Sequence, residues 1–465
     1  MEAFADTSAL FAVAGHRDAA ALTALGLHAQ QHRGTAGAGI ASADGALVRL
    51  DVQDGPAHAS FGAERLEGLP GALAIGQVFG RSPLEGPSDD GELYRIAWGR
   101  FRGGPMAAAV SGQVVNGSRL RRELADGGSL FRTASDAELL LHLIATSNQR
   151  TVVNRVVDAI WRIRGAYALV VLTEDHLIAV RDPAGFRPLV LGRLGDAQLF
   201  ATEDAAIRFV GGEVRREVRP GELLVADARG MVSVSPLPTA QPRACAQELA
   251  TLARSDATVF GRSTHAVRSA LGERLGQVHP CPEADLVCGA LGGGVAARAY
   301  ARVAGLPYED AVVTEAPVAR PLPEPPSGVP GLTARARWRV VPAVVADRTV
   351  VVVTPVVSTG REVRQVVRLL IEAGARDVHL RVASAPVLGA CPYGVASPLP
   401  EELVSRSAAD PAELLGVRSV AWLPREAAHE LVNPHVPELD GLCEACLGAP
   451  PPLVADPADD QLPLF

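Results

Sequence analysis

The 465-residue chain contains no lysine: all 44 of its basic side chains are arginine, set against 52 acidic ones. Without an ε-ammonium group, Schiff-base catalysis and the lysine-dependent phosphate loop of the Walker type are excluded. GC-biased codons, which also favour Ala, Gly, Val, Pro and Arg, account for the missing lysines without any functional demand. No apolar run approaches the ~20 residues of a membrane-spanning helix. Met1 to Ala9, with Glu2 and Asp6, lacks the basic start and apolar centre of a secretory signal. A net charge of -8 is not the basic surplus of a nucleic-acid-binding chain. Aromatic residues are few, at 4%, yet a hydrophobic share of 48% is ample for cores; the length implies roughly two or three domains. The expectation is a cytoplasmic protein with no nucleic-acid or membrane partner, whose six cysteines are ligands or core residues and not disulfides.

Residues 8–238 alternate short β-branched runs with Gly-rich turns, interrupted by two helical stretches. One helix is predicted over Asp18 to His32; another follows Ser135, with Asp136 and Glu138 in its first turn. Asp182-Pro183-Ala184-Gly185 predicts a turn between strands at Leu177 to Val180 and Leu189 to Leu191. The mixture predicts a layered α+β domain. Beyond the Pro- and Ala-rich stretch 236–242, helices are predicted at Thr264 to Gln277, Ala296 to Val303 and Glu362 to Ala373. Apolar strands alternate with them at Asp285 to Cys288, Arg348 to Val353 and Val378 to Val382. Strand, helix, strand at that spacing predicts a parallel sheet, hence an α/β domain over 243–447. The proline-rich stretch 321–330 predicts an extended surface loop, and 448–465 a disordered tail.

Several runs carry a resemblance. Phe11 to His16, Gly26-Leu27-His28-Ala29-Gln30-Gln31-His32-Arg33-Gly34, Gly37 to Ile40, Ser135 to Glu138, Gly165-Ala166-Tyr167 and Arg219 to Glu222 are similar to the amidophosphoribosyltransferases, the glutamine phosphoribosylpyrophosphate amidotransferases. The run Arg181-Asp182-Pro183-Ala184-Gly185-Phe186-Arg187-Pro188-Leu189 is the most specific match. The resemblance implies an N-terminal Ntn-hydrolase (class II glutamine amidotransferase) domain. A type I phosphoribosyltransferase domain follows it, and ammonia released from glutamine in the first is delivered to phosphoribosylpyrophosphate in the second, opening purine synthesis.

Read residue by residue, both implied sites depart from the family. An N-terminal cysteine thiolate with a free α-amine is needed for the glutaminase; the family's Cys-Gly-Val-Phe-Gly is Ser8-Ala9-Leu10-Phe11-Ala12 here. Ser8 can serve as an Ntn nucleophile only after cleavage between Thr7 and Ser8. The family's Gly-His-Val-Arg-Tyr-Ser, whose arginine grips the substrate carboxylate, reads Gly76-Gln77-Val78-Phe79-Gly80-Arg81, with Arg81 displaced by two positions. The oxyanion motif His-Asn-Gly-Asn-Leu reads Val110-Ser111-Gly112-Gln113-Val114 and keeps only Gly112. Asp136, the family's partner for the substrate amine, is retained, and it reads equally as a first-turn helix acid.

In the second site, Val-Asp-Asp-Ser-Ile-Val-Arg-Gly-Thr-Thr has become Val353-Thr354-Pro355-Val356-Val357-Ser358-Thr359-Gly360-Arg361-Glu362. Both carboxylates are gone, so Mg²⁺ is not expected, although Ser358, Thr359 and Gly360 ahead of a helix can still bind an anion weakly. The closing loop aligns with Thr314 to Leu322; of its polar residues only Arg320 remains, and Thr314 stands at a lysine position. A third motif, Val-Pro-Asp-Ser-Gly, reads Ala290-Leu291-Gly292-Gly293-Gly294, a plain glycine turn.

Four cysteines are retained. Cys245, Cys391, Cys443 and Cys446 match positions where one branch of the family holds a [4Fe-4S] cluster, and a set of four thiolates also suits a Cys₄ zinc ion. Cys281 and Cys288 read as core residues, His279 as incidental, and His28 and His32 as packing or hydrogen-bonding residues. The sequence therefore leads to a pseudoenzyme of the family with a regulatory or structural role, as a homo-oligomer or in assembly with an authentic amidotransferase. The alternatives are amide hydrolysis by processed Ser8, or a nucleotide sensor built on the Gly360 remnant.

Overall fold

The computed structural model describes residues 5–6, 8–80, 96–101, 104–227, 230–238, 241–314, 337–396, 400–433, 439 and 441–453. In the first half two antiparallel sheets are stacked. The seven-stranded sheet runs, edge to edge, through Glu213–Glu217, Val190–Leu194, Ala197–Ala201, Ser8–Ala14, Leu73–Phe79, Gly37–Ala43 and Val48–Asp54. The six-stranded sheet runs through Gly230–Val234, Leu223–Asp227, Leu177–Arg181, Gly165–Leu172, Gly104–Val114 and Ile96–Phe101.

Alternation along the strands decides the layering. Leu10 and Ala12 meet Ala107, Ala109, Ala168 and Val170 of the other sheet, while Ala9, Phe11 and Val13 face the helix Ala19–Ala29. That helix lies close because Gly26 has no side chain: a Cβ there would fall 2.3 Å from the Phe11 ring. On the outer face of the six-stranded sheet, Leu169 and Val171 pack with Leu140 and Ile144 of Asp136–Thr146 and Ile160 of Val152–Arg162. The result is four layers, helix, sheet, sheet, helix. The helix expected over Asp18 to His32 stops at Ala29 and tightens into a 3₁₀ turn at Gln31–Arg33. The Gln30 side chain ties the break down by donating to Leu10 O and accepting from Glu203 N. Ser135 caps the second helix through a hydrogen bond from Glu138 N at 3.2 Å, and Glu138 reaches back to Thr133.

The second half is built on a four-stranded parallel sheet ordered Leu286–Gly289, Thr349–Thr354, Asp377–Val382, Ser419–Trp422. Its continuous apolar runs are explained by cover on both faces. Val351 and Val353 face Thr264–Val278 and Gly294–Ala304, while Val350 and Val352 face Arg361–Glu372. The first two of these helices approach most closely at Gly272, where a Cβ would lie 2.1 Å from Ala296 O. Gly272→Ala is expected to force the pair apart and cost about 1–3 kcal/mol in urea unfolding; an unchanged midpoint would show that the helices can simply slide.

Two short ladders and one buried charge network sew the halves together. Ala5–Asp6 pairs with Val395–Ala396, and Ala244–Cys245 runs parallel to Leu442–Cys443. Fully buried Arg33 donates to Glu203 and, through both terminal nitrogens, to Glu248, which Arg187 also reaches at 3.2 Å. Glu203, in addition, contacts His32 Nε2 at 2.9 Å. Burial acts to raise the Glu203 pKa, but Arg33 and His32 outweigh it and hold the carboxyl down at about 2. The tail expected to be disordered from 448 is in fact fixed through Leu453, whose N–H donates to, and whose carbonyl accepts from, the Tyr393 hydroxyl. Residues 454–465, the 321–330 stretch, Arg81 and Arg320 lie outside the described residues.

Candidate functional site

Ser8 opens its strand 1% exposed, in ladder register with Phe79. Its hydroxyl donates to Ser111 Oγ at 3.1 Å, and Ser111 Oγ donates back to Ser8 O at 3.1 Å. Among the described residues, the Ser8 hydroxyl thus has a neutral partner in Ser111, which is itself tied to the Ser8 carbonyl. Ala5–Asp6 upstream lies in its own ladder against Val395–Ala396. Gln77 is buried and donates to Val110 O at 2.7 Å, while its Oε1 has no hydrogen-bond partner among the described residues.

Phe79, which stands where an arginine clamp was expected, is buried with its ring against Gly37; a Cβ at Gly37 would lie 2.3 Å from it. Gly112 adopts φ +112° directly over Ala166 O, where a Cβ would meet that oxygen at 2.0 Å. Gly394 in turn packs against Gly112. Asp136 accepts from Val114 N at 2.8 Å and lies 3.7 Å from Arg121. Its carboxylate therefore braces the strand bearing Gly112.

In the second half, Thr354 ends its strand fully buried, and Pro355 follows. Gly360, at φ +69°, caps the helix Arg361–Glu372. The neighbouring segment roofs this loop. A Cβ on Gly360 would meet Leu415 Cδ2 at 2.3 Å and Val404 Cγ2 at 3.1 Å, and Val404 N donates to Ser358 O. Ser358 and Thr359 are 3% and 7% exposed, so the anion remnant is closed over by apolar side chains. Gly293 comes within 2.2 Å, by its would-be Cβ, of Val353 O, which makes the glycine run a close-packing turn.

The cysteines, by contrast, converge. Cys245, Cys391, Cys443 and Cys446 line one small cavity with Ala166, Phe186, Arg187, Gln247 and Tyr393. Cys245 and Cys443 are register partners in the interdomain ladder. Two donors reach the sulfurs: Gln247 Nε2 toward Cys446 Sγ at 4.0 Å and Tyr393 N toward Cys391 Sγ at 3.4 Å. As free thiols they are strongly disfavoured as anions, because burial raises Cys245 and Cys446 well above the usual range and Cys443 to about 12.

The run 181–189 is the frame of this cavity, a role that composition and spacing did not disclose. Asp182 accepts from the amides of Ala184, Phe186 and Arg187, fixing the turn. Arg181 donates to the carbonyls of Gly185, Arg187 and Val218. Phe186 is thereby presented to stack on Tyr393 at 4.8 Å between ring centres, and Arg187 to pair with Glu248. The only sequence signal for Phe186 and Tyr393 was their adjacency to Arg187 and Cys391. His28 packs edge-on against His58 and Phe209, as a structural histidine. Among the described residues, no helix is long and apolar enough to cross a membrane.

Comparison with known proteins places this geometry. A model of a glutamine amidotransferase domain matches residues 100–208. The chain is 38% identical over 443 residues to the chloroplastic amidophosphoribosyltransferase of Vigna aconitifolia, covering 94% of this chain and 90% of that protein. It is 32% identical to the amidophosphoribosyltransferase of Bacillus subtilis over 94% of this chain and 92% of the relative. Among solved structures, the B. subtilis glutamine phosphoribosylpyrophosphate amidotransferase complexed with ADP and GMP superposes with a TM-score of 0.88 at 31% identity, covering 98% of this chain and 99% of that one. A second, described as the allosteric regulatory enzyme of purine biosynthesis, gives 0.89 at 31% identity, covering 97% of each chain.

Proposed function

This chain belongs to the amidophosphoribosyltransferase family of purine biosynthesis, and from that premise we propose that it is a member without catalytic turnover. Its halves are a class II glutamine amidotransferase domain of Ntn fold and a phosphoribosyltransferase domain with a parallel sheet. The observation that carries the proposal is Ser8: it stands where the family has a cysteine, is buried, and spends its hydroxyl on Ser111. The other positions support the same reading. Phe79 offers no charge to a substrate carboxylate, and Thr354-Pro355 offers no carboxylate to ribose hydroxyls or Mg²⁺. The roof of Leu415 and Val404 over Gly360 disfavours a nucleotide sensor at that loop.

What the chain retains is a scaffold, and Cys245, Cys391, Cys443 and Cys446 would hold an iron-sulfur cluster within it. The donor set fits. Four soft thiolates surround one cavity with N–H donors aimed at two sulfurs. Four thiolates on one tetrahedral zinc would stand about 3.8 Å apart, from Zn–S bonds of ~2.3 Å. Four cysteines drawn from three separate segments around one cavity suit the corners of a multi-iron cube. The cluster, when bound, supplies a covalent tie between the interdomain segment, the 391–396 loop and the C-terminal segment. The role that follows is regulatory or structural, in the cytoplasm, as an oligomer with itself or with an active amidotransferase chain.

The test is phosphoribosylamine formation from phosphoribosylpyrophosphate with glutamine or with ammonia, under anaerobic handling, alongside intact mass. Turnover indistinguishable from the no-enzyme control and a mass that includes residues upstream of Ser8 are expected. Substantial turnover with either nitrogen source would sink the proposal.

A further inference from the structure

A second group of metal-competent side chains lies at the other end of the parallel sheet from Gly360. Cys281 and Glu283 sit in the connection between the helix Thr264–Val278 and the strand Leu286–Gly289, and His379 is the third residue of Asp377–Val382. One ligand atom from each of the three lies within 4.8 Å of the others. Cys281 and His379 are 1% and 3% exposed, whereas Glu283 is exposed, so two ligands are held in the interior and the third stands at the entrance.

The histidine is oriented as a ligand needs to be. Ser419, its register partner on the next strand, meets His379 Nδ1 at 2.8 Å and also accepts from Arg381 Nη1 at 3.1 Å. A hydroxyl oxygen has two lone pairs and can accept from both. In the tautomer that donates Nδ1–H to Ser419, the Nε2 lone pair faces Glu283, 3.7 Å away and beyond hydrogen-bond length. Arg381 is committed elsewhere, donating to the carbonyls of His279 and Leu380. Its positive charge favours the Cys281 thiolate against the burial that raises that thiol to about 11.

We propose that Cys281 Sγ, His379 Nε2 and the Glu283 carboxylate bind one zinc ion, with water in the fourth position. Sulfur, nitrogen and oxygen donors together suit this borderline-soft cation, and bonds of ~2.0–2.3 Å require the three atoms to draw in slightly, which the exposed Glu283 side chain permits. Binding exchanges the thiol proton for the metal: one S–H bond breaks, one S–Zn bond forms, and the proton leaves to solvent. A thiolate and a carboxylate neutralise the ion, and Ser419 holds the imidazole as a supporting hydrogen-bond partner.

The test is metal content of the full chain after equilibration with zinc and gel filtration, compared with variants, together with the thiolate charge-transfer absorption of cobalt-loaded protein. The wild type and Cys288→Ser should each hold one zinc equivalent more than Cys281→Ser and His379→Ala, and that increment of the cobalt absorption should vanish with it. Glu283→Gln alters only an exposed side chain and keeps the fold. It should weaken the increment more than Ser419→Ala, for which a loss of about tenfold in affinity is expected. Equal zinc and cobalt signals in the wild type, Cys281→Ser and Glu283→Gln would overturn the proposal. Because the readout is a difference at fixed Cys245, Cys391, Cys443 and Cys446, those four cysteines cannot produce it.

Discussion

Arg33→Met should lower the stability of this chain by about 3–5 kcal/mol at neutral pH, the cost of breaking a buried pair from one side. The network is balanced as it stands, with Arg33 and Arg187 against Glu203 and Glu248. Removing Arg33 leaves Arg187 on Glu248 and strips Glu203 of the buried guanidinium that donates to it. His32, one-third exposed, is a poor substitute. The pH dependence follows with a definite sign. In the wild type Glu203 is held near 2 against a reference of 4.5, so its contribution is complete above 4.5 and fades as the pH falls toward 2. In the variant, burial without Arg33 raises the same carboxyl above 4.5; its cost is then present at pH 7 and relieved by protonation. Urea midpoints measured from pH 7 to pH 3 should therefore converge. A difference that is below 1 kcal/mol, or flat with pH, would show that water or His32 compensates the loss.

Cys446→Ala should abolish the iron centre outright. Iron should fall from about four atoms per anaerobically purified chain to none, and the visible absorption should disappear with it. The mechanical consequence follows from the contacts. Leu388 and Gly389 both donate to Cys446 O, and Tyr393 joins the same region to Leu453, so the 391–396 loop and the C-terminal segment lose a common anchor. Limited proteolysis is expected to cut the variant between 441 and 453 at a rate at least tenfold above wild type, since opening tracks local stability and 1.4 kcal/mol is already a factor of ten. Cys288→Ser is the control, because Cys288 lies in a separate apolar core. A colourless, iron-free wild type would refute the assignment, and a single zinc per four cysteines would replace it with a mononuclear site.

The apolar patterning made the layers legible. The continuous apolar runs at Ser8–Ala14 and Thr349–Thr354 mark strands covered on both faces. The missing carboxylates at Thr354-Pro355 and the four cysteines could be read directly from residue identity. What could not be read was the use of retained polar residues. Asp136, read equally as a substrate contact and as a first-turn acid, accepts from Val114 N, and Arg187, in the run that follows the predicted turn, reaches Glu248. These partners lie 22 and 61 residues away along the chain, and no local pattern encodes them. For the same reason Glu283 and His379 escaped notice: Cys281 has no meaning as a ligand until a strand nearly a hundred residues later comes alongside.

The buried network also sets an order on synthesis. Domains fold from the N-terminus as the chain emerges, and when residue 238 has left the ribosome the first four layers already contain Arg33, Arg187 and Glu203 but not Glu248. Of this network the nascent domain then holds two cations, Arg33 and Arg187, against one anion, Glu203. Glu248, ten residues farther on, brings the missing negative charge together with the strand bearing Cys245. The first domain thus waits, electrostatically unfinished, for the opening residues of the second, and a ribosome-bound fragment ending near 240 should be markedly less compact than one ending near 255.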